Sequence, residues 1–125
     1  MSGTFARCLR AIAAGAIFLI GTAMADAAGA LAVGSCAAYG YAYNYGEEQG
    51  ARTAALQKCT GRCKVVATMR RGCAAYAIDG HNKCGAHGYA SAPTLGRAQN
   101  VALRFCYKYG GRDCMVRAWA CDGSG

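Results

Sequence analysis

One stretch of this chain occurs twice. Arg52 to Cys73 reads RTAALQKCTGRCKVVATMRRGC, and Gln99 to Cys121 reads QNVALRFCYKYGGRDCMVRAWAC, with Ala-Leu, Cys, Gly-Arg, Cys, an apolar run and Cys in the same order. The match extends upstream. Ala30–Val33 aligns with Ala75–Ile78, Cys36 with Cys84, and Gly40-Tyr41-Ala42 with Gly88-Tyr89-Ala90, while Val65 and Ala67 align with Val116 and Ala118. The copies cover about residues 30–71 and 72–121. Two copies are too few for a solenoid, which needs at least three repeats to bury a continuous core, so the fold is a single domain with an internal pseudo-twofold.

Each copy reads strand, turn, strand, helix, strand. Gly34-Ser35 and Asp79-Gly80-His81-Asn82-Lys83 are turn chemistry. Ala38 to Tyr45 alternates Tyr39, Tyr41, Tyr43 and Tyr45 with Ala38, Gly40, Ala42 and Asn44, the period of a strand with one tyrosine face. The same face of the second copy carries His87, Tyr89 and Ser91. A helix over about 47–59 opens on two acids suited to the positive end of the helix dipole, and one over about 95–107 follows Pro93-Thr94. Both carry small residues on one side, so they are expected to pack closely on Ala38, Gly40, Ala42, Gly88 and Ala90, leaving the tyrosines on the far face. In the third strands Val65, Ala67, Met69 and Val116, Ala118, Ala120 form the apolar side. Arg70-Arg71-Gly72 makes a tight reversal between the copies, which predicts that strands of both join in one sheet. The expected architecture is α+β: one disulfide-stabilised domain of two ββαβ repeats, about six strands and two helices.

The ends set the compartment. Arg7 and Arg10, the apolar run Ala11 to Ala23 and the triplet Ala23-Met24-Ala25 read as a signal peptide over residues 1–25, ahead of a domain over 26–125. The apolar run is shorter than the roughly 20 residues of a spanning helix. Of nine cysteines, Cys8 leaves with that leader; Cys36, Cys59, Cys63, Cys73, Cys84, Cys106, Cys114 and Cys121 remain, an even set that reads as four disulfides in an exported chain. The expected location is the periplasm or the exterior, with no membrane span after cleavage. With 14 Lys+Arg against 6 Asp+Glu the chain is strongly basic and favours anionic partners.

The strand YGYAYNYG, the helix end AALQKC, the turn TGRC and the strand CKVVATMRRGCAA resemble the domain-of-unknown-function family 4189, over about Ala30 to Cys121. The resemblance implies an exported bacterial domain with no established enzymatic activity, and it supplies no catalytic residue. Its pattern implies six core cysteines, matching Cys59, Cys63, Cys73, Cys106, Cys114 and Cys121, with Cys36 and Cys84 additional. Eight cysteines allow roughly a hundred pairings. Symmetry between the copies selects Cys59–Cys63 and Cys106–Cys114 as staples of helix end to strand, with Cys73–Cys121 and Cys36–Cys84 tying copy to copy.

Candidate chemistry is sparse. His81, Cys84 and His87 are metal-ligand types at short spacing, but Cys84 has a repeat-related cysteine partner in an oxidising compartment, so no metal or cofactor is expected. No nucleophile elbow or phosphate loop occurs, and no enzyme is expected. The expected binding face is polar and aromatic: Tyr39, Tyr41, Tyr43, His87 and Tyr89, joined by Arg70, Arg71, Arg117 and Trp119. Tyr, Trp and Arg give large contact area with polar tips; the competing reading is that these tyrosines pack against loops or line the contact between copies. The function expected is therefore an exported binding module for an anionic envelope polymer or a protein. Nucleic acid is disfavoured because the arginines are scattered. The alternatives are an inhibitor of an exported hydrolase, and a small enzyme or metal-binding protein using His81 and His87.

Overall fold

The first strand of each copy is apolar, save for the Asp79 that ends the second, and each is buried at every position: β1 (Ala28–Val33, AGALAV) and β4 (Cys73–Asp79, CAAYAID). Burial on both faces requires a cover on both. A computed structural model, which describes residues 27–123, shows what the covers are.

The chain continues from β1 through a turn at Ser35–Ala37 into β2 (Tyr39–Tyr45), α1 (Glu48–Lys58) and β3 (Lys64–Met69), and from β4 into β5 (His87–Ala92), α2 (Leu95–Lys108) and β6 (Cys114–Cys121). The strands form two antiparallel three-stranded sheets, ordered β2-β1-β3 and β5-β4-β6. Leu31 and Val33 of β1 pack with Ala74, Tyr76 and Ile78 of β4 in the core between the sheets. On the opposite face of β1, Ala30 and Ala32 meet Ala51, Ala54 and Ala55 of α1; in the second copy Ala75 and Ala77 meet Ala98, Ala102 and Cys106 of α2. The layers run helix, sheet, sheet, helix. Large side chains point between the sheets and small ones toward the helices, whose backbones can then approach closely.

The α+β content of six strands and two helices is as the pattern indicates, but the strands do not join in one sheet. Each copy's first strand already has both neighbours from its own copy, so neither β1 nor β4 has an edge to offer. Stacking the sheets instead buries Leu31, Tyr76 and Ile78, which one open sheet with helices on a single face would leave wet. The third strands also differ from simple alternation. Register slips between Leu31/Ala32 and between Tyr76/Ala77 place a β-bulge at the same point of both copies. Val65 consequently packs on the α1 side while Ala67 and Met69 face the other sheet.

Four disulfides close the structure. Cys59–Cys63 joins the end of α1 to the start of β3, and Cys106–Cys114 joins α2 to β6. Cys36–Cys84 links the turns that follow β1 and β4 and ties copy to copy. Cys73–Cys121 does not tie the copies: the two residues sit directly opposite in the antiparallel β4–β6 ladder, 4.0 Å apart at Cα, so the bridge lies within the second copy.

Two acids are buried. Fully buried Asp122 accepts hydrogen bonds from the backbone N–H of Asn44 (2.9 Å) and of Arg71 (3.4 Å), pinning the end of β2 and the link between copies to the tail of β6. Asp79 accepts from the backbone N–H of His81 (2.9 Å) and of Arg112 (3.4 Å). Its carboxyl is held below the ordinary carboxylate value, chiefly by the His81 N–H; burial opposes this, and the N–H groups of Arg112 and Asp113 add to it. A depressed folded value contributes stability above the unfolded value, near 4, that is lost as pH falls through the folded one. Asp79→Asn is thus expected to melt below the parent at neutral pH, with the gap closing at acidic pH; a gap in melting temperature that stays constant with pH would refute this.

The expected leader, residues 1–25, lies outside the described residues. Among the described residues no helix is long and apolar enough to cross a membrane.

Candidate functional site: a groove between two edge strands

β2 is an edge of one sheet and β6 an edge of the other, and across the sandwich they run side by side in the same direction: Arg117 reaches Ala37 near the start of β2, and Asp122 reaches Asn44 near its end. Glycine and alanine on alternate positions of β2 lie against α1, so Tyr39, Tyr41 and Tyr43 stand on the inner side in a row. Their neighbouring ring centroids are 6.2 Å apart, in planes within 2° and 21° of parallel. Tyr39 and Tyr41 are half-buried against the core between the sheets, while Tyr43 is 51% exposed.

The bulge supplies the opposite wall. Ala118 pairs with Tyr76 and Val116 with Ala77, leaving Arg117 as the extra residue of β6. A bulge re-aims its side chain, and here it sends the guanidinium across to the start of β2, with the residue still exposed. Its Nε donates to the Ala37 carbonyl (3.4 Å), and its central carbon lies 5.2 Å from the centre of the Tyr39 ring, a cation–π distance. Cys36 and Ala37, both in the left-handed region (φ 54° and 67°), shape the turn that presents this carbonyl. The same guanidinium influences Tyr76, whose phenol is pushed up by burial and drawn down to a lesser extent by the Arg117 charge. Among the described residues no carboxylate pairs with Arg117. Trp119, two residues on, 50% exposed and opposite Ala75 on the helix side of β6, borders at the rim a groove of about 470 Å³ whose other lining is Ala118, Ala120 and Cys121.

The pseudo-twofold provides an internal comparison. The facing registers equate Thr68, opposite Ala30, with Trp119, opposite Ala75, and the bulged Val66 with the bulged Arg117. Where the β2–β6 groove has Tyr39, Tyr41, Tyr43, Arg117 and Trp119, the corresponding β5–β3 positions carry His87, Tyr89, Ser91, Val66 and Thr68. One groove is aromatic and basic. Its counterpart lacks the cation, the indole and two of the three phenols.

The nine residues of the expected binding face therefore occupy three places. Tyr39, Tyr41, Tyr43, Arg117 and Trp119 share the groove. His87 and Tyr89 line a separate hollow of about 510 Å³ with Phe105 and Tyr109 beside α2. Arg70 and Arg71 border a third at the link between copies, with Ser91 and Pro93. His81 and His87 do not act together either: His81 Nε2 lies 3.7 Å from Asp113 Oδ2, both side chains exposed, whereas His87 stacks against Tyr89, and Cys84 between them is bridged to Cys36. The groups that sequence reasoning missed are the Ala37 carbonyl that holds Arg117 and the Asp122 carboxylate that fixes the far end of β2. The repeat contained one usable signal, the Val66-for-Arg117 exchange at aligned positions.

A family described as "Domain of unknown function (DUF4189)" matches residues 28–121. No curated protein and no solved structure matches the chain.

Proposed function

This chain belongs to the DUF4189 family, and we propose that it is an exported binding module, not an enzyme, whose binding face is the groove between β2 and β6. The observation that carries the reading is the divergence of the two pseudo-equivalent grooves. A packing role would be met equally by both copies, yet large aromatics and an arginine with no carboxylate partner among the described residues are concentrated on one. Among the described residues the lining offers contact area and a single cation, with no acid or histidine to move a proton, a composition suited to recognition. Four disulfides and the basic leader-like start support a site of action in the periplasm or outside the cell.

Hydroxyl-radical footprinting tests this whatever the ligand is. The exported chain is labelled in its cellular setting and again after purification. Tyr43 and Trp119 are expected to be protected only in the cellular setting, while Tyr107 and Tyr109, 51% and 65% exposed on and just after α2, label equally in both. Protection of Tyr107 and Tyr109 with Tyr43 and Trp119 unchanged would move the binding face to the α2 side and overturn the proposal.

A further inference from the structure

We infer that the occupant of the β2–β6 groove is an acidic glycan, a chain of sugars carrying carboxylates, with one carboxylate seated on Arg117 and the sugar rings lying along the tyrosine row and Trp119. The inference rests on that groove being the binding face. It follows from the ratio and placement of its groups. Three phenols stand beside one guanidinium, with an indole at the rim, so a matching ligand presents mostly uncharged surface with apolar faces and hydroxyls, and an anion at intervals. Tyrosine and tryptophan meet such a surface with an apolar body and a polar tip.

Arg117 is preorganised for the anion. Its Nε donates to Ala37 and its central carbon lies at cation–π distance from Tyr39, leaving the terminal nitrogens to meet a carboxylate as a planar fork, which a lysine could not do. Two other polymers fit less well. A nucleic acid carries a charge on every unit and requires a run of cations, whereas the groove lining holds one. An acidic peptide added as a strand would need an unbroken backbone edge, whereas β6 is bulged at Arg117 and β2 is irregular between Ala42 and Tyr45, with Asn44 at φ 60°. Among the described residues no acidic side chain lines the groove, and the chain as a whole is basic, so an anionic polymer meets no repulsion from the lining.

The chain's single tryptophan is Trp119, at the rim of this groove, so its emission reports occupancy there. The purified exported chain is titrated with oligogalacturonate, its fully methyl-esterified form, polyglutamate of equal carboxylate number, and a single-stranded oligonucleotide. Oligogalacturonate is expected to shift Trp119 emission and to bind tightest. Methyl esterification and Arg117→Gln should each weaken it roughly tenfold or more, and Arg117→Lys should recover part of the loss. Tyr43→Ala, at a half-exposed site where folding is not at stake, should weaken the acidic and esterified forms alike. If polyglutamate or the oligonucleotide binds as tightly, moves Trp119 and depends on Arg117, the glycan is overturned and the groove stands. Equal binding of the methyl ester, or silence of Trp119 toward all four probes, overturns the glycan. Oligogalacturonate binding that leaves Trp119 silent and is indifferent to Arg117 overturns both glycan and groove.

Discussion

Reduction of the four disulfides is expected to unfold the domain. The fully buried core has few side chains larger than alanine: Leu31, Tyr76 and Ile78 carry the centre, and the helix interfaces are built almost wholly from alanine and cysteine. Each methyl group buried there contributes little apolar area, so cross-links carry an unusual share of the stability. Cys36–Cys84 and Cys73–Cys121 each span 48 residues and contribute about 4 kcal/mol in the chain-entropy account, against about 2 kcal/mol each for Cys59–Cys63 and Cys106–Cys114, which span 4 and 8. Their sum is comparable to the roughly 5–15 kcal/mol of a whole small domain. A melt followed by circular dichroism should therefore be cooperative without reductant and featureless with it. Replacing the Cys36–Cys84 pair by alanine should lower the melting temperature by more than about 10 °C, and replacing Cys59–Cys63 by about half as much. An unchanged melting temperature in reductant would sink the account; a short-span pair as costly as a long-span pair would show that local geometry, not loop closure, sets the contribution.

The duplication made the elements of this fold legible, and the distribution of small residues placed the helices correctly, because both features are local and each is written twice. The relation between the copies was not legible. AGALAV and CAAYAID are apolar on both faces, and such a strand fits the centre of one large sheet as well as the inner layers of two stacked ones. What decides is which edges remain unpaired, a property of topology and not of composition. The candidate site divides the same way. Tyrosine alternation puts Tyr39, Tyr41 and Tyr43 on one face from sequence alone, but Arg117 reaches them only because a bulge adds one residue to β6, and nothing in CMVRAWAC announces a bulge. Plain alternation would have set Arg117 on the side away from Ala118. His87, Tyr89, Arg70 and Arg71 share residue type with the groove lining but lie at hollows of their own, since sequence indicates which side a residue faces and not which strand lies across from it. Asp122 reads as an isolated acid near the chain end and is in fact a fully buried clasp, its partners 78 and 51 residues away.

Gly40→Val and Gly88→Val are each expected to abolish folding at 37 °C, for a reason the duplication supplies twice. Each glycine sits at the equivalent place on the second strand of its copy, where the helix crosses closest. A Cβ on Gly40 would fall on the Ala55 carbonyl oxygen and 2.7 Å from the Cys59 nitrogen; one on Gly88 would fall on the Ala102 carbonyl oxygen and 2.6 Å from the Cys106 nitrogen. These are backbone atoms of α1 with its C-cap and of α2, which cannot rotate away as a side chain can. Cys59 and Cys106 are bridged to the strands that follow, so a helix displaced from the glycine drags its disulfide as well. Overpacking at a site with no room to relax costs about 3 kcal/mol or more, a large part of what a small alanine-rich domain has in reserve. Gly96→Ala provides the contrast: it lies in α2 with open space around it, so a methyl group should be neutral or stabilise the helix by up to about 1 kcal/mol. Chemical denaturation of the three variants separates the alternatives. Valine variants that unfold at the same denaturant midpoint as the parent would mean that the helices do not rest on these strands. The tyrosine row would then lose its reason to face the groove, because only the close approach of α1 to Gly40 commits Tyr39 and Tyr41 to the opposite side.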